Sequence, residues 1–212
     1  EDFDSENLTA FELGYRLQPS ETTSIDLALF HNQYSDVSTF ETVQFVGSFP
    51  QEIEFDNKRD VTTQGLEVVF DWHPLENWKL QTVYSYIDVE DELDSDSSND
   101  QISNALIEGS TPEHQLSIRT SHDLSSSLSL NLWLYYVDQL NASAYSVDPS
   151  SVDSYSSFNF RLDWKPRQNI QLSLVGLNLN EDSHTEFIGE DYITMPLNVS
   201  FFPGFSIGES VA

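Results

Sequence analysis

The sequence predicts an all-β protein, an antiparallel up-and-down meander of about nine or ten strands of the kind that forms a transmembrane β-barrel. Three observations predict it. Apolar residues recur with a period of two along the chain, and helical periodicity is nearly absent. The alternating runs reach about ten residues or more, longer than the ~5–6 typical of soluble sheets. The connections alternate short and long, so all short turns fall at one end of the sheet and all long loops at the other. Transmembrane barrels combine that asymmetry with strands of ~9–11 residues that are apolar on one face.

The elements follow in order. Strand 8–17 alternates Phe11, Leu13, Tyr15 and Leu17 with Glu12, Gly14 and Arg16. Strand 24–37 is extended, but its apolar residues change parity between Leu29 and Phe30, which reads as a bulge or as a strand buried on both faces. Strand 61–73 carries Leu66, Val68, Phe70 and Trp72, and strand 78–90 carries Trp78, Leu80, Tyr84 and Tyr86. Strand 113–122 precedes the cleanest alternation, in 127–138, where Leu128, Leu130, Leu132, Leu134 and Tyr136 are separated by Ser129, Asn131, Trp133 and Tyr135. Strand 155–165 sets Phe158, Phe160, Leu162 and Trp164 against Asn159, Arg161, Asp163 and Lys165. Ile170, Leu172 and Leu174 mark strand 169–179, and Ile193 through Phe201 mark strand 191–202.

Short turns are expected at 19–23, 74–77, 123–125 and 166–169, three of them containing proline. Long connections are expected at 38–60, 91–112, 139–154 and 180–190. Within the first, 42–46 and 52–55 have the pattern of a hairpin standing above the membrane. Tyr34, Trp72, Trp78, Tyr84, Tyr86, Tyr135, Tyr136, Tyr155 and Trp164 fall near strand ends, as the aromatic girdles of a membrane barrel do.

Composition narrows the function. The 212 residues hold 36 acidic and 8 basic side chains, a formal net charge of −28. Nucleic-acid binders neutralise phosphates with Lys and Arg, so nucleic acid is excluded as a partner. With 14 Phe, 9 Tyr and 4 Trp the chain is too aromatic for a disordered polyelectrolyte. It has no cysteine, which removes disulfides, thiolate nucleophiles and Cys-ligated metals. Much of the negative charge lies in 36–60, 88–100 and 181–191, all assigned to the long-loop end.

No catalytic, cofactor-binding or metal-ligating residue is assigned, and no cofactor is expected. The acidic run 88–100 fails as an EF-hand loop started at Asp94, because Asn99 takes the Gly position and Ala105 the Glu position. It reads as a solvated loop whose charges repel. His31, His73, His114, His122 and His184 show no ligand spacing; His114 and His122 share a parity but lie ~26 Å apart along one strand. There is no nucleophile elbow and no phosphate-binding glycine loop. Glu67, Asp71, Asn131, Asn159, Arg161 and Asp163 are the expected polar lining of a lumen, with Arg161 placed to pair with a neighbouring carboxylate.

Six segments together carry a family resemblance. Phe11-Glu12-Leu13-Gly14-Tyr15-Arg16 is similar to an E-x-G-x-[KR] strand, and Phe30-His31-Asn32-Gln33-Tyr34 to the F-x-N-x-Y strand after it. Asn57 with Gly65-Leu66-Glu67, Trp78-Lys79-Leu80 with Tyr84-Ser85-Tyr86, and Thr111-Pro112-Glu113-His114 follow in the family's order. Gly176-Leu177-Asn178-Leu179 with His184-Thr185-Glu186-Phe187 resembles the segment before the terminal strand. Together the six resemble the TonB-dependent outer-membrane receptors, and the resemblance implies that residues 1–202 are the C-terminal portion of a 22-stranded barrel. Family members usually end on an aromatic of the last strand, and this sequence departs from that by running on through 203–212 as a tail, with Phe201 and Phe202 expected to serve as the assembly signal. It implies an outer-membrane location in a Gram-negative bacterium and membrane lipid around the wall. It also implies a plug domain, energy from the TonB complex, and a scarce small-molecule ligand such as a ferric siderophore, haem or cobalamin. The plug and the TonB-contacting box precede the barrel in the family and are not among these residues. Such a receptor is a transporter, not an enzyme. Two other classes fit the strand pattern: a small outer-membrane barrel of another kind, enzyme or porin-like, and a soluble β-sandwich adhesion module.

Overall fold

The computed structural model describes residues 4–46, 49–98, 109, 111–140 and 152–180, with backbone alone at 40, 42–46 and 49–53. The described residues form a single antiparallel sheet of eight strands in strict sequential order. They are β1 (Asn7–Ser20), β2 (Thr23–Val46), β3 (Phe49–Leu75), β4 (Trp78–Leu93), β5 (His114–Ser125), β6 (Leu128–Val137), β7 (Tyr155–Arg167) and β8 (Ile170–Gly176). The expected strand 191–202, the 180–190 connection beyond Asn180, and the 203–212 tail lie outside the described residues.

Two-residue turns at 21–22, 76–77, 126–127 and 168–169 join the strands at one end. Each turn is preceded by a register shift, and three of the four shifts contain Pro19, Pro74 or Pro166. Proline has no N–H to give the ladder, so pairing slips there before the chain reverses. The third turn lies at 126–127 rather than 123–125, because Ser125 still pairs with Leu128.

At the opposite end the expectation of a long loop at 38–60 is corrected. β2 and β3 continue as one hairpin, with Glu41 opposite Glu54, Thr42 opposite Ile53 and Val46 opposite Phe49. The hairpin within that segment is thus an extension of the two wall strands. Beyond Tyr34 it runs ~40 Å along the strand at ~3.3 Å per residue. The ladder is interrupted by register shifts on either side of Val37, where Asp36 takes a φ of 58°. Asp tolerates that left-handed backbone better than most residues. Its carbonyl accepts from Asn57 Nδ2 at 2.5 Å and its carboxylate from Asn7 Nδ2 at 2.9 Å.

No bulge occurs at the Leu29/Phe30 parity change, where pairing with β1 and β3 is continuous. Phe30 instead lies across from Gly65, whose missing Cβ would meet the Tyr86 carbonyl and the Phe30 ring. An aromatic covering a cross-strand glycine holds the ladder where no side chain fits. β8 ends at Gly176, short of the expected 179, because the backbone turns at Asn178 (φ 50°) and its N–H donates to Asn159 Oδ1 at 2.7 Å.

The register gives the sheet two unlike faces. One row across seven strands reads Leu17, Ile25, Phe70, Thr82, Ile118, Leu134, Phe158. The neighbouring row on the other face reads Arg16, Asp26, Val69, Val83, Ser117, Tyr135, Ser157. A single layer encloses little: among the described residues the buried apolar side chains are Val61, Leu140 and Val152, whereas Leu13 is 65% and Leu174 60% exposed. A β-sandwich would seal that apolar face against a second sheet, whereas the eight strands of the described residues form one sheet with that face open. Water disfavours such a face by ~25 cal/mol per Å² of apolar surface, and hydrocarbon does not.

Candidate functional site

The apolar face has the dimensions and borders of a lipid-facing wall. On β3 it runs from Leu66 to Leu75, ~30 Å along the strand and ~23 Å after a ~40° tilt, against the ~25 Å apolar band of outer-membrane barrels. Aromatic clusters bound it at both ends. Near the short turns Trp72 and Trp78 lie 5.5 Å apart, and Trp78 stacks on His122 at 5.3 Å. The indole N–H of Trp78 donates to Thr120 Oγ1 at 2.9 Å. Toward the loops His114 sits between Tyr84 and Tyr86 at 6.1 and 5.1 Å, with its Nδ1 2.9 Å from the Tyr84 hydroxyl. Ring bodies in hydrocarbon with polar tips in the headgroups suit these positions. Above Leu66 the same face turns polar, with Gln64 donating to Asp88 at 3.0 Å.

Of the residues expected in the girdles, Trp72, Trp78, Tyr84, Tyr86, Tyr136 and Trp164 lie on this face. Tyr34, Tyr135 and Tyr155 lie on the polar face and are corrected. Alternation predicts the latter two, because each neighbours a residue of the opposite set.

The polar face carries all six expected lumen residues: Glu67, Asp71, Asn131, Asn159, Arg161 and Asp163. Asp71 accepts from Gln81 Nε2 at 2.9 Å. Arg161 pairs with Asp163 of its own strand through two hydrogen bonds of 2.7 and 3.0 Å. Asp163 also accepts from Ser173 at 2.5 Å and Gln171 at 3.2 Å on β8. Arg16 is paired with Asp26. A shallow cleft of about 270 Å³ opens on this face near the short turns, lined by Asp71, His73, Lys79, Gln81, Arg119 and Trp133 among others. Arg119 Nη2 donates to the Tyr135 hydroxyl at 3.2 Å, and its Cζ lies 5.9 Å from the Tyr135 ring centre.

The long-loop end holds a polar lock that sequence patterning missed. Thr39, Glu41 and Arg59, at the base of the projecting hairpin, are buried. Glu41 accepts from Ser97 Oγ at 2.8 Å, Ser98 N at 2.5 Å and Ser98 Oγ at 2.8 Å, which straps the start of the β4–β5 connection onto β2. Burial pushes its carboxyl up, but hydrogen bonds from Thr39, Ser97 and Ser98 outweigh that and hold it at about 2. Lys58 bridges Asp56 at 3.2 Å and Asp96 at 3.4 Å. The hydrogen bond to Asp56 leads in holding the lysine above its usual range, and the Asn57 N–H leads in holding the Asp56 carboxyl below its own. Arg59 meets Asp91 at 3.1 Å with both side chains buried.

The solvated reading of 88–100 is thereby corrected over its described part. β4 extends to Leu93, and Asp91 and Asp96 are ion-paired rather than mutually repelling. His31 packs near Phe11 on the apolar face at 6.5 Å, His73 lines the cleft, and His184 lies outside the described residues. Among the described residues no three His, Asp or Glu side chains gather as a metal site.

The family model described as TonB dependent receptor-like, beta-barrel matches residues 1–179. No curated protein matches the chain. Solved structures do. The ferric-catecholate import receptor Fiu of E. coli K12 is 14% identical with a TM-score of 0.67 over 86% of this chain and 24% of its own. The siderophore receptor PiuA of Acinetobacter baumannii is 16% identical with a TM-score of 0.67 over 84% of this chain and 25% of its own. The ferric yersiniabactin uptake receptor FyuA of Yersinia pestis is 17% identical with a TM-score of 0.59 over 82% of this chain and 25% of its own. At these identities the likeness is one of fold, and the chain spans about a quarter of each receptor's length. Family and neighbours are transport receptors, not enzymes. An apolar girdled face, a polar inner face, tight turns at one end and a projecting hairpin at the other meet the family match over 1–179: the chain belongs to the TonB-dependent receptor β-barrel family.

Proposed function

We propose that this chain forms part of the barrel wall and outer loops of a receptor in a Gram-negative outer membrane. Its function is TonB-energised uptake of a scarce metal chelate, with a ferric siderophore as the leading class. Residues 1–202 supply C-terminal strands of a longer barrel and 203–212 a tail, in keeping with the quarter of the solved receptors' length that the chain spans. The two-faced sheet carries the reading. Its apolar face suits lipid, its polar face suits a lumen filled by a plug, and its long-loop end extends far enough to meet ligand outside. The lock around Glu41 and Arg59 fixes the loop base, so that binding a ligand does not have to order it. The ligand class follows that of the similar receptors, for ferric catecholate, siderophore and ferric yersiniabactin.

The test is uptake of a panel of radiolabelled ferric siderophores, haem and cobalamin by cells making the full-length receptor, with and without TonB. Saturable uptake of one ligand that disappears without TonB supports the reading. Uptake of every ligand unchanged by deleting the receptor refutes it.

A further inference from the structure

Positive charge is scarce in this chain, and its placement is uneven. Lys58 and Arg59, at the loop end, are ion-paired with Asp56, Asp96 and Asp91. Arg16 and Arg161, on the inner face, are paired with Asp26 and Asp163. The other four basic residues are Lys79, Lys165 and Arg167, toward the short-turn end of β4 and β7, and Arg119, in the middle of β5 and level with Gln81 near the start of β4. Among the described residues none of the four has a carboxylate partner within ion-pair distance. In a chain of net charge −28, carboxylates are available nearly everywhere else.

Two of these cations share the inner-face cleft. Lys79 and Arg119 line it together with Trp133, Ser121 and Asn131. The register places Arg119 between Gln81 and Trp133 in one row, and Lys79 opposite Ser121 in the row nearer the turns. Arg119 is held in place by the Tyr135 hydroxyl and ring, which leaves other guanidinium N–H groups directed elsewhere. Asp71 is the carboxylate in the lining, and Gln81 donates to it from the β3 side of the cleft. The result is a basic shelf with an aromatic floor, exposed to the lumen and shallow. A shallow open shelf gives a small solute little enclosure. It suits a folded segment held at other points as well, whose carboxylate is delivered to the cations by the rest of its contacts.

We propose that the Lys79–Arg119 shelf is the docking point for a carboxylate-bearing segment of the polypeptide that fills the barrel lumen. This rests on the receptor reading above. The segment presents an Asp or Glu to Arg119 and Lys79 and packs an apolar side chain on Trp133. Arg119 offers two N–H groups to one carboxylate, and the low dielectric of a plugged lumen strengthens the pair relative to one in water. The wall would thus hold its plug at the short-turn end by charge, while the acidic loop end repels the same segment.

The experiment places the photo-cross-linker p-benzoylphenylalanine at Ser121 of the full-length receptor, in outer membranes, and identifies the cross-linked peptide by mass spectrometry. The expected product is a peptide of the lumen domain with Asp or Glu beside the attachment point. Its yield should fall about tenfold in K79E/R119E, the scale of losing and reversing two partly desolvated charge pairs. K79Q/R119Q should give a smaller loss, and serves if the reversed variant does not reach the heat-modifiable, folded form. A Lys or Arg at the identified acidic position should restore the yield in K79E/R119E. A yield unchanged in both variants, a cross-linked peptide without carboxylates, or cross-links to lipid alone each overturn the proposal. TonB-dependent uptake by the same cells separates the two readings. Intact uptake with a charge-independent cross-link overturns the shelf alone, and absent uptake from unsubstituted cells overturns the receptor function.

Discussion

Replacing Glu41 by Ala should release the base of the β4–β5 connection without loosening the barrel wall. Glu41 is 7% exposed and accepts hydrogen bonds from Ser97 Oγ, Ser98 N and Ser98 Oγ. Its carboxyl is held at about 2 against an ordinary 4.5. That difference corresponds to about 3 kcal/mol of stabilisation of the strapped state, at ~1.4 kcal/mol per unit. Truncation also orphans the serine donors, which points the same way. The assay is amide hydrogen exchange at Ser97 and Ser98 in detergent-solubilised protein. About 3 kcal/mol is a factor of about a hundred in the local opening equilibrium, so exchange at Ser98 should accelerate by about that factor. Amides of Leu132 and Phe160 in the wall should keep their protection. The pH dependence has a definite sign. A depressed carboxyl contributes its stabilisation in full above its unfolded value, and the contribution is lost as pH falls toward the folded one. Protection at Ser98, corrected for intrinsic exchange, should be flat from pH 7 to 5 and fall between about 4.5 and about 2. Exchange at Ser98 unchanged in the variant, or protection lost between pH 7 and 5, refutes the argument.

The remaining predictions concern the wall and its extension. Leu132→Arg, on the lipid face, should lower folding stability in vesicles by ~2–4 kcal/mol, whereas Ser117→Arg on the inner face should cost under ~1 kcal/mol; equal costs refute the face assignment. Gly65→Ala sets a methyl against the Tyr86 carbonyl and the Phe30 ring, and should cost ~1–3 kcal/mol by urea titration of the folded, heat-modifiable form. An unchanged midpoint shows that the glycine is not required there. Arg59→Ala leaves the Asp91 carboxylate buried, and should cost ~3–5 kcal/mol of local stability by exchange at Val61; R59L/D91L should recover most of it, and no recovery refutes the charge argument.

How legible each feature was follows from how local its cause is. The alternation of Leu128 to Tyr136 places five side chains on one face whatever the rest of the chain does, so the apolar face and the opposite placement of Glu67, Asp71, Asn131, Asn159, Arg161 and Asp163 are readable in the sequence. Pro19, Pro74 and Pro166 punctuate the tight turns for the same local reason. The 38–60 segment has the sequence pattern of a loop because its apolar and acidic residues alternate irregularly through the register shifts around Val37 and Gln44. Charge density there resembles a loop, but backbone pairing with the facing strand overrides it. Nearness to strand ends points Tyr34, Tyr135 and Tyr155 to the girdles, but the face decides whether an aromatic reaches the headgroups, and these three lie on the polar one.

By itself, then, the sequence determined that the chain is a strand meander with one apolar face, short turns at one end and charge at the other. A strand's side chains alternate by covalent geometry, and proline removes a donor wherever it stands. Tertiary structure decided which residues meet across the ladder. Glu41 and Ser98 are 57 positions apart, Arg59 and Asp91 face each other across β3 and β4, and Lys79 and Arg119 share a cleft from two strands. Such meetings depend on inter-strand register, and register is set by all the pairings and bulges between the partners rather than by the pattern within any one strand.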